Sequence, residues 1–373
     1  MSSTSARAIF LRLNLLPAAA LCLAMPLAAL AQPHLIPMPR EVHTLPDQPL
    51  PNGIRITCTS CFTDPDDKFA ADDLSASLAA RGLATSNANG LVIRLNRLAA
   101  SPLPNFTDEM KPEGYMISIT PGILTVTATT AEGLFYGCQT VKQLIEIDSA
   151  TPAVLHAANV RDWPAMRYRG LDDDLSRGPV TTLEFEKKLI RTLAAYKINL
   201  YSPYFEHTAG YASNPLPGPP GGTISAADAA ALVAYAKPYH VLIVPEQEAF
   251  GHLHHNLTWE QYQPLAETPH GAVLAPGQPG SLALTTQMLT ELAAQYPGPF
   301  LHIGADETVD LGLGQTKPDV DSRGLATVYL DFMQKIVTSL EPLHRRLLFW
   351  GDIAQDARGI NSSMAGGGFG FGD

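Results

Sequence analysis

The stretch LHIGADE, residues 301–307, is an apolar strand that ends in two adjacent carboxylates. Other short apolar strands, separated by helical patterns, are predicted on either side of it after position 163. The predicted strands are 168–171, 198–204, 241–245, 300–304 and 347–351. Strands that alternate with helices indicate a parallel sheet, so this part of the chain is predicted to be α/β.

Acidic residues collect at the carboxyl ends of these strands: Asp172, Glu206, Glu246, Asp306 and Asp352. In a (β/α)8 barrel, or TIM barrel, that face carries the active site, and the sequence predicts this fold. A doubly wound sheet is the alternative, but no Gly-rich turn follows the first strand. A capping box at 181–184 predicts the first helix, with its buried face formed by Phe185, Leu189, Leu193 and Tyr196.

The domain organisation follows from these patterns. Residues 33–158 are predicted to form a small α+β domain with a hairpin of strands 115–120 and 123–129 and a helix over 131–147. The barrel domain covers 159–352 with about five strand–helix units, and 353–373 is a Gly-rich, low-complexity tail. We therefore expect an incomplete barrel that is poorly stable and nearly inactive alone; a complete smaller barrel is the alternative.

Residues 1–31 have the pattern of a secretory signal peptide. Arg7 and Arg12 precede an apolar run that ends in Ala29-Leu30-Ala31, which predicts cleavage before Gln32. A membrane anchor is the alternative, although prolines interrupt the run and no second span follows. We expect export to the periplasm or the medium, with no membrane partner.

Composition and cysteine content narrow the protein class. The 373 residues are 46% hydrophobic and 16% charged, which is typical of a folded globular protein. A formal charge of −11 without a basic cluster argues against a nucleic-acid partner. In an oxidising compartment, Cys58 and Cys61 are placed to form a local structural disulfide, with a redox-active pair as the alternative, and Cys138 is then left unpaired.

Asp306 and Glu307 are the main candidates for chemistry. Consecutive strand residues face opposite sides, so both carboxylates enter one site only where the strand ends and the backbone bends. One can then donate a proton while the other stays ionised. Such pairs are also common in solvated loops, which is the alternative interpretation.

Two further candidates surround this pair. Trp350 follows the next strand, and an indole beside acids suits a sugar ring; simple core packing is the alternative. Arg169, on the first strand, is either a clamp for sugar hydroxyls or part of an internal ion pair.

Several motifs together resemble the family 20 glycoside hydrolases, the β-N-acetylhexosaminidases, from about residue 33 to 352. EGY at 113–115 and GLFYGCQT at 133–140 are similar to the end of that family's N-terminal domain. RDWP at 161–164 with YRG at 168–170 resembles the start of its barrel. HIGADE at 302–307 is similar to its signature, usually H-x-G-G-D-E.

The resemblance implies an exo-acting enzyme that removes terminal N-acetylglucosamine or N-acetylgalactosamine from glycoconjugates or chitooligosaccharides, without cofactor or metal. The 2-acetamido oxygen of the substrate attacks the anomeric carbon, so no protein nucleophile is needed. By position, the resemblance implies Glu307 as general acid and base, Asp306 as the partner of the acetamido N–H, Arg169 as a ligand of ring hydroxyls, His252 as support for the acid, and Trp350 as a wall of the acetamido pocket.

The chain departs from the family pattern at two places. Glu206 and His207 stand where many members have a His-x-x-Asp stretch, and are predicted either to replace that network or to change the substrate. Ala305 stands where glycine is usual, which we expect to be a small change.

Two other functions remain open at this point. One is a metal-dependent hydrolase, with ligands drawn from His252, His254, His255, His302 and Asp352. The other is a non-catalytic sugar-binding fragment.

Overall fold

The computed structural model describes residues 33–98, 103–148 and 152–351, and the backbone of Phe369 and Gly370. The predicted signal peptide, Asp352 and the rest of the Gly-rich tail lie outside the described residues. Within those described ranges, no helix is both long enough and apolar enough to cross a bilayer.

The first part of the chain forms a mixed six-stranded sheet and two helices that pack on each other and on the sheet. Its elements are β1 (Glu41–Thr44), β2 (Gln48–Pro49), β3 (Ile54–Cys58), α1 (Pro65–Ala80), β4 (Leu91–Arg97), β5 (Tyr115–Thr120), β6 (Ile123–Ala128), α2 (Ala131–Leu144), β7 (Ile145–Glu146), β8 (Val154–Leu155) and β9 (Ala158–Asp162). The large sheet has the order β1-β9-β5-β6-β4-β3, and β2-β8-β7 form a small second sheet.

The predicted hairpin and helix of this part are confirmed. Thr120 pairs with Ile123 across the turn, where Gly122 has a φ of +77° that glycine adopts without steric cost. Helix α2 begins after Thr130, whose hydroxyl accepts a hydrogen bond from the N–H of Gly133. The helix ends three residues earlier than predicted because the chain continues directly into β7.

The predicted disulfide is also confirmed. Cys58 and Cys61 are bonded at the end of β3, just before α1 begins. Cys138 is unpaired and buried in α2, and burial raises the pKa of its thiol to about 12. These properties make Cys138 a core residue rather than a reactive thiol.

The second part of the chain is a parallel sheet surrounded by helices. Its elements are β10 (Gly170–Asp174), α3 (Leu183–Ala195), β11 (Leu200–Phe205), α4 (Ala226–Ala236), β12 (Leu242–Ile243), β13 (Glu246–Gln247), α5 (His254–Leu257), α6 (Pro279–Gln295), β14 (Phe300–His302), α7 (Lys317–Arg323), α8 (Leu325–Leu340), β15 (Arg346–Trp350) and β16 (Phe369–Gly370). The parallel strands have the order β10-β11-β13-β14-β15, with β12 also paired to β11. Strand β16 pairs with β15 in the antiparallel direction.

This arrangement is the five-unit α/β architecture that the sequence predicts. Helices α3, α4, α6 and α8 pack side by side in chain order around the strands. The segments that follow the strands lie at one end of the sheet, as in a TIM barrel.

Helix α3 differs from its prediction. Its N-cap is Thr182, one residue later than expected, and the Thr182 hydroxyl accepts from the N–H of Phe185. Phe185 is half exposed, whereas Glu186 is buried and hydrogen-bonded by the hydroxyl of Thr181. Because this hydrogen bond satisfies the carboxyl group, Glu186 can face the core. The buried face of α3 is therefore rotated relative to the apolar face that the sequence predicts.

Candidate active site

Asp306 and Glu307 follow β14 at a sharp turn of the backbone. Gly304 has a φ of +61° and Glu307 a φ of +43°, both in the left-handed region. A Cβ atom at Gly304 would lie 2.2 Å from Oε1 of Glu248, so this position requires glycine. The turn replaces the strand geometry that would send the two carboxylates to opposite faces.

His252 contacts both of these carboxylates. Its Nε2 lies 3.3 Å from Oδ2 of Asp306 and 3.5 Å from Oε2 of Glu307. The hydrogen bond with Asp306 raises the pKa of His252, against the effect of burial. Three of the predicted site residues therefore lie together.

A third carboxyl group, that of Glu248, is completely buried behind Asp306. Its Oε2 accepts a hydrogen bond of 3.1 Å from the N–H of Ala305. Burial raises the pKa of Glu248 well above its ordinary value, and the charge of Asp306 raises it further. Burial also acts to raise the pKa of Asp306, but its interactions with His252 and Glu248 outweigh this effect and lower it.

The two pKa shifts are therefore opposite: that of Glu248 favours its protonated form, and that of Asp306 favours its ionised form. Sequence analysis did not assign Glu248 a role. Its acidic stretch, PEQEAFGH at 245–252, was the available signal, but nothing local showed which of its two glutamates lies against Asp306.

The guanidinium group at the site belongs to Arg177, which sequence analysis missed. Its Nη2 lies 2.7 Å from Oε1 of Glu206 and 3.1 Å from Nδ1 of His252. Its Nη1 donates to Asp174 at 2.8 Å. The available signal was its position just beyond the end of β10, a strand that extends three residues further than predicted.

The predicted hydroxyl clamp, Arg169, does not lie at this site, and that prediction is wrong. Nη2 of Arg169 lies 2.5 Å from Glu113 of the first sheet's domain. Its Nε donates to the carbonyl of Lys197 at 2.8 Å and its Nη1 to that of Met166 at 2.7 Å. Arg169 precedes β10, so it lies at the amino end of the strand and forms the internal ion pair that was the alternative.

The structure places Glu206 at the site and His207 beside it. Glu206 is buried, and it accepts a 3.0 Å hydrogen bond from the hydroxyl of Tyr204 in addition to its contact with Arg177. The ring of His207 stacks on that of His255 with 3.9 Å between centroids. Burial and the proximity of His255 lower the pKa of His207 to about 4, so its imidazole is neutral at neutral pH.

Trp350 lies on the inner side of the sheet. Its Nε1 donates to Oε1 of Glu246 at 2.5 Å, and its ring centroid is 4.9 Å from that of His302. These residues and Asp172 line a cavity of about 410 Å³. Asp172 and Glu246, which were expected at the strand ends, thus belong to this interior cavity, and burial with the charge of Glu246 raises the pKa of Asp172 to about 7.

Ala305 is more than a small departure from the family pattern. Its φ is +75°, in the region that favours glycine, and its methyl group is completely buried. The residue carries backbone strain directly beside Asp306.

The histidines considered as metal ligands are distributed over separate places. His252 contacts Asp306 and Glu307, whereas His302 faces Glu246 in the interior cavity. Among the side chains that the structure describes, no group of three or more His, Cys, Asp or Glu residues is placed to hold a metal ion. Asp352 lies outside the described residues.

Comparison with known families agrees with the two-part architecture. The model described as "Glycosyl hydrolase family 20, domain 2" matches residues 32–163, and "Glycosyl hydrolase family 20, catalytic domain" matches residues 166–365. The chain belongs to glycosyl hydrolase family 20. Its curated family 20 relatives include the beta-hexosaminidase of Porphyromonas gingivalis, which is 26% identical over 310 residues.

That alignment covers 74% of this family 20 chain and 39% of the relative. The beta-hexosaminidase of Vibrio furnissii is 25% identical over 282 residues, which cover 63% of this chain and 45% of that protein. The chain thus matches less than half the length of these two relatives.

Solved structures show the same fold. The family 20 β-N-acetylhexosaminidase from Streptomyces coelicolor A3(2) has a TM-score of 0.68 at 23% identity, over 87% of this chain and 68% of that chain. The exo β-N-acetylglucosaminidase from Vibrio harveyi, solved in complex with N-acetylglucosamine, has a TM-score of 0.67 at 21% identity. The match covers 85% of this chain and 54% of that chain. The TIM-barrel expectation for this family 20 chain is confirmed.

Proposed function

We propose that this site hydrolyses terminal N-acetylhexosamine residues of glycoconjugates or chitooligosaccharides, acting from the non-reducing end with retention of configuration. The observation that carries the proposal is that Nε2 of His252 lies 3.3 Å from Asp306 and 3.5 Å from Glu307, so that both carboxylates belong to one site. The lowered pKa of Asp306 favours its ionised form there. Membership of family 20 and the N-acetylglucosamine bound by the Vibrio harveyi protein support this substrate class.

In the first step, the acetamido oxygen of the substrate forms a bond to the anomeric carbon as the glycosidic C–O bond breaks. Glu307, which is 56% exposed, gives its proton to the departing oxygen. The acetamido N–H becomes positively charged in the oxazolinium intermediate, and the carboxylate of Asp306 stabilises that charge. Because the substrate supplies the nucleophile, no enzyme carboxylate needs to attack the sugar.

In the second step, a water molecule attacks the anomeric carbon and the oxazolinium C–O bond breaks. Glu307, now a carboxylate, takes the proton of that water and returns to its starting state. Two inversions at the same carbon give net retention. The imidazole of His252, in contact with both carboxylates, supports Glu307 in both directions of proton transfer.

Arg177 is assigned the hydroxyl-binding role in place of Arg169. Its guanidinium lies within the cluster of His252 and Glu206, with its side chain 53% exposed. Glu206 holds this guanidinium in place by an ion pair. This contact supports the prediction that Glu206 replaces part of the family's His-x-x-Asp network. Trp350 is assigned one wall of the acetamido pocket, because its backbone N–H donates at 3.0 Å to the carbonyl of Gly304, two residues before Asp306.

The decisive experiment measures hydrolysis of an unactivated N-acetylglucosamine disaccharide by the parent chain and by Glu307→Gln, Asp306→Asn and Glu260→Gln, at enzyme concentrations high enough to quantify the weak activity expected of the chain alone. We expect kcat to fall by ~10²–10⁴-fold for Glu307→Gln because the proton donor is lost. The kcat of Asp306→Asn on 2-acetamido substrates should also fall. Glu260→Gln is the matched control, because Glu260 is exposed, and it should keep the parental kcat. NMR that identifies the anomer released first tests retention, since a retaining enzyme releases the β-anomer from a β-linked substrate.

Full activity of Glu307→Gln would exclude the assigned roles. Binding of N-acetylglucosamine without any turnover by the parent would instead favour the non-catalytic sugar-binding alternative.

We also propose that the chain is exported to the periplasm or the medium after removal of residues 1–31. The Cys58–Cys61 disulfide supports an oxidising compartment. Mass spectrometry of the protein from its native host should find Gln32 as the first residue; an unprocessed cytoplasmic chain would contradict export.

A further inference from the structure

Glu267 binds the backbone of the segment that follows Glu307. This carboxylate is only 1% exposed, yet it contacts no basic side chain within hydrogen-bond distance among the contacts described. Instead, its Oε1 accepts hydrogen bonds from the N–H groups of Gly312, Gly314 and Thr316 at 3.1, 3.0 and 3.1 Å. A buried carboxylate that accepts three backbone N–H groups fixes that backbone tightly.

The backbone of Glu267 adds to this attachment. Its carbonyl accepts from the N–H of Gln315 at 2.9 Å. A Cβ atom at Gly314 would lie 1.9 Å from the same carbonyl, so the two segments fit only with glycine there. Beside them, the hydroxyl of Thr268 donates to Asp310 at 3.2 Å.

Glu307 lies a few residues before this anchored segment. Its φ of +43° is unfavourable for a residue with a side chain, so the surrounding structure has to hold it in place. The carbonyl of Glu307 accepts a 2.7 Å hydrogen bond from the N–H of Val309, and Leu311 donates to Thr308. A continuous set of hydrogen bonds therefore connects Glu307 with the segment that Glu267 holds.

We propose that Glu267 is a positioning residue for Glu307. It acts through the 308–316 segment and does not touch the substrate. The proposal rests on the proposed function of Glu307 as general acid and base. Its consequence is that loss of Glu267 lowers kcat more than substrate affinity, because misplacement of a proton donor by ~1 Å can cost ~10²-fold in rate.

The test compares the parent chain with Glu267→Ala, Glu267→Gln and Asp64→Ala. Asp64 is a matched control, since its carboxylate also accepts two backbone N–H groups, but at the start of α1. We expect Glu267→Ala to lower kcat by ~10²-fold, with KM changed less than ~3-fold. Glu267→Gln should restore most of kcat, because its amide oxygen can accept the same three N–H groups.

Hydrogen exchange at the amide of Val309 gives a readout that is independent of turnover. We expect Glu267→Ala to accelerate it by about tenfold or more, as local opening becomes easier, and Asp64→Ala to leave it unchanged. An unchanged Val309 exchange rate, or a kcat of Glu267→Ala equal to that of Asp64→Ala, would overturn the proposal. If the parent shows no turnover, the proposed function fails, and the exchange rate alone decides whether Glu267 positions Glu307.

Discussion

Arg169 and Arg177 lie at opposite ends of β10. Arg169 precedes the strand and pairs with Glu113 of the first domain, whereas Arg177 follows it and pairs with Glu206 in the site. One arginine thus connects the two domains, and the other lies among the side chains of the candidate site.

Exchanging each arginine for lysine should separate these roles. Lysine keeps the charge but loses the planar fork of donors, so Arg177→Lys should lower kcat/KM by ~10–100-fold, the equivalent of about one charged hydrogen bond. Arg169→Lys should lower the melting temperature and leave kcat/KM near the parent value. Steady-state kinetics and thermal unfolding of both variants provide the check; a selective loss of kcat/KM in Arg169→Lys would reverse the assignment.

Arg169 and Arg177 also show what the sequence could not predict, namely the exact ends of a strand. The pattern of apolar residues placed the first barrel strand at 168–171, and the structure has it at 170–174. A shift of two to three residues decides which arginine lies at the carboxyl end. The three acidic residues Asp172 to Asp174 gave no apolar signal, although they are part of the strand.

Replacement of Glu248 by glutamine should be tolerated. Burial and the charge of Asp306 keep Glu248 protonated, and a neutral amide can likewise donate to Asp306 while accepting from the N–H of Ala305. We therefore expect kcat of Glu248→Gln near pH 6 to stay within about threefold of the parent. Glu248→Ala leaves buried polar groups unpaired and should lose ~1–3 kcal/mol of unfolding free energy.

Kinetics and chemical denaturation of the two Glu248 variants test this. A large loss of kcat in Glu248→Gln alone, with normal stability, would mean that Glu248 works as a charged carboxylate.

The contact of His252 with Asp306 should make stability depend on pH. The pKa of His252 is raised above its unfolded value of ~6.5, so its contribution is complete below that pH and is lost as the pH rises through the folded pKa. The pKa of Asp306 is lowered, so its contribution is present above ~3.9 and is lost as the pH falls through the folded pKa. Glu206 adds to the shift of His252, and Arg177 opposes it.

His252→Asn removes this contact with little backbone strain, because asparagine tolerates the φ of +54°. The loss of unfolding free energy relative to the parent should be largest at about pH 5–6 and shrink toward pH 9. His344→Asn is the matched control, since His344 is exposed and has a φ of +53°. Denaturation curves across this pH range check the prediction, and a pH-independent loss would contradict it.

The remaining features of the site could not be predicted, because they depend on contacts between residues that are distant in the sequence. Asp306, Glu307 and His252 were predicted because each follows a recognisable strand or motif. Glu267 belongs to an irregular segment, and only the folded chain brings it to Gly312 and Gly314. The strained backbone at Ala305 had one signal, the glycine that is usual at this position of the family pattern, but the alanine itself gives no sign of a positive φ.

Ala305→Gly should be nearly neutral for stability, although it removes a buried methyl group. Loss of that methyl costs ~0.8 kcal/mol, and the greater freedom of glycine in the unfolded chain costs a further ~0.4–1 kcal/mol. Release of the left-handed strain at φ +75° returns ~1–2 kcal/mol, which offsets both. Ala249 is also completely buried but is absent from the residues with positive φ, so Ala249→Gly should lose the full ~1–2 kcal/mol. Equal losses in the two variants, measured by urea denaturation, would show that the backbone at Ala305 is not strained.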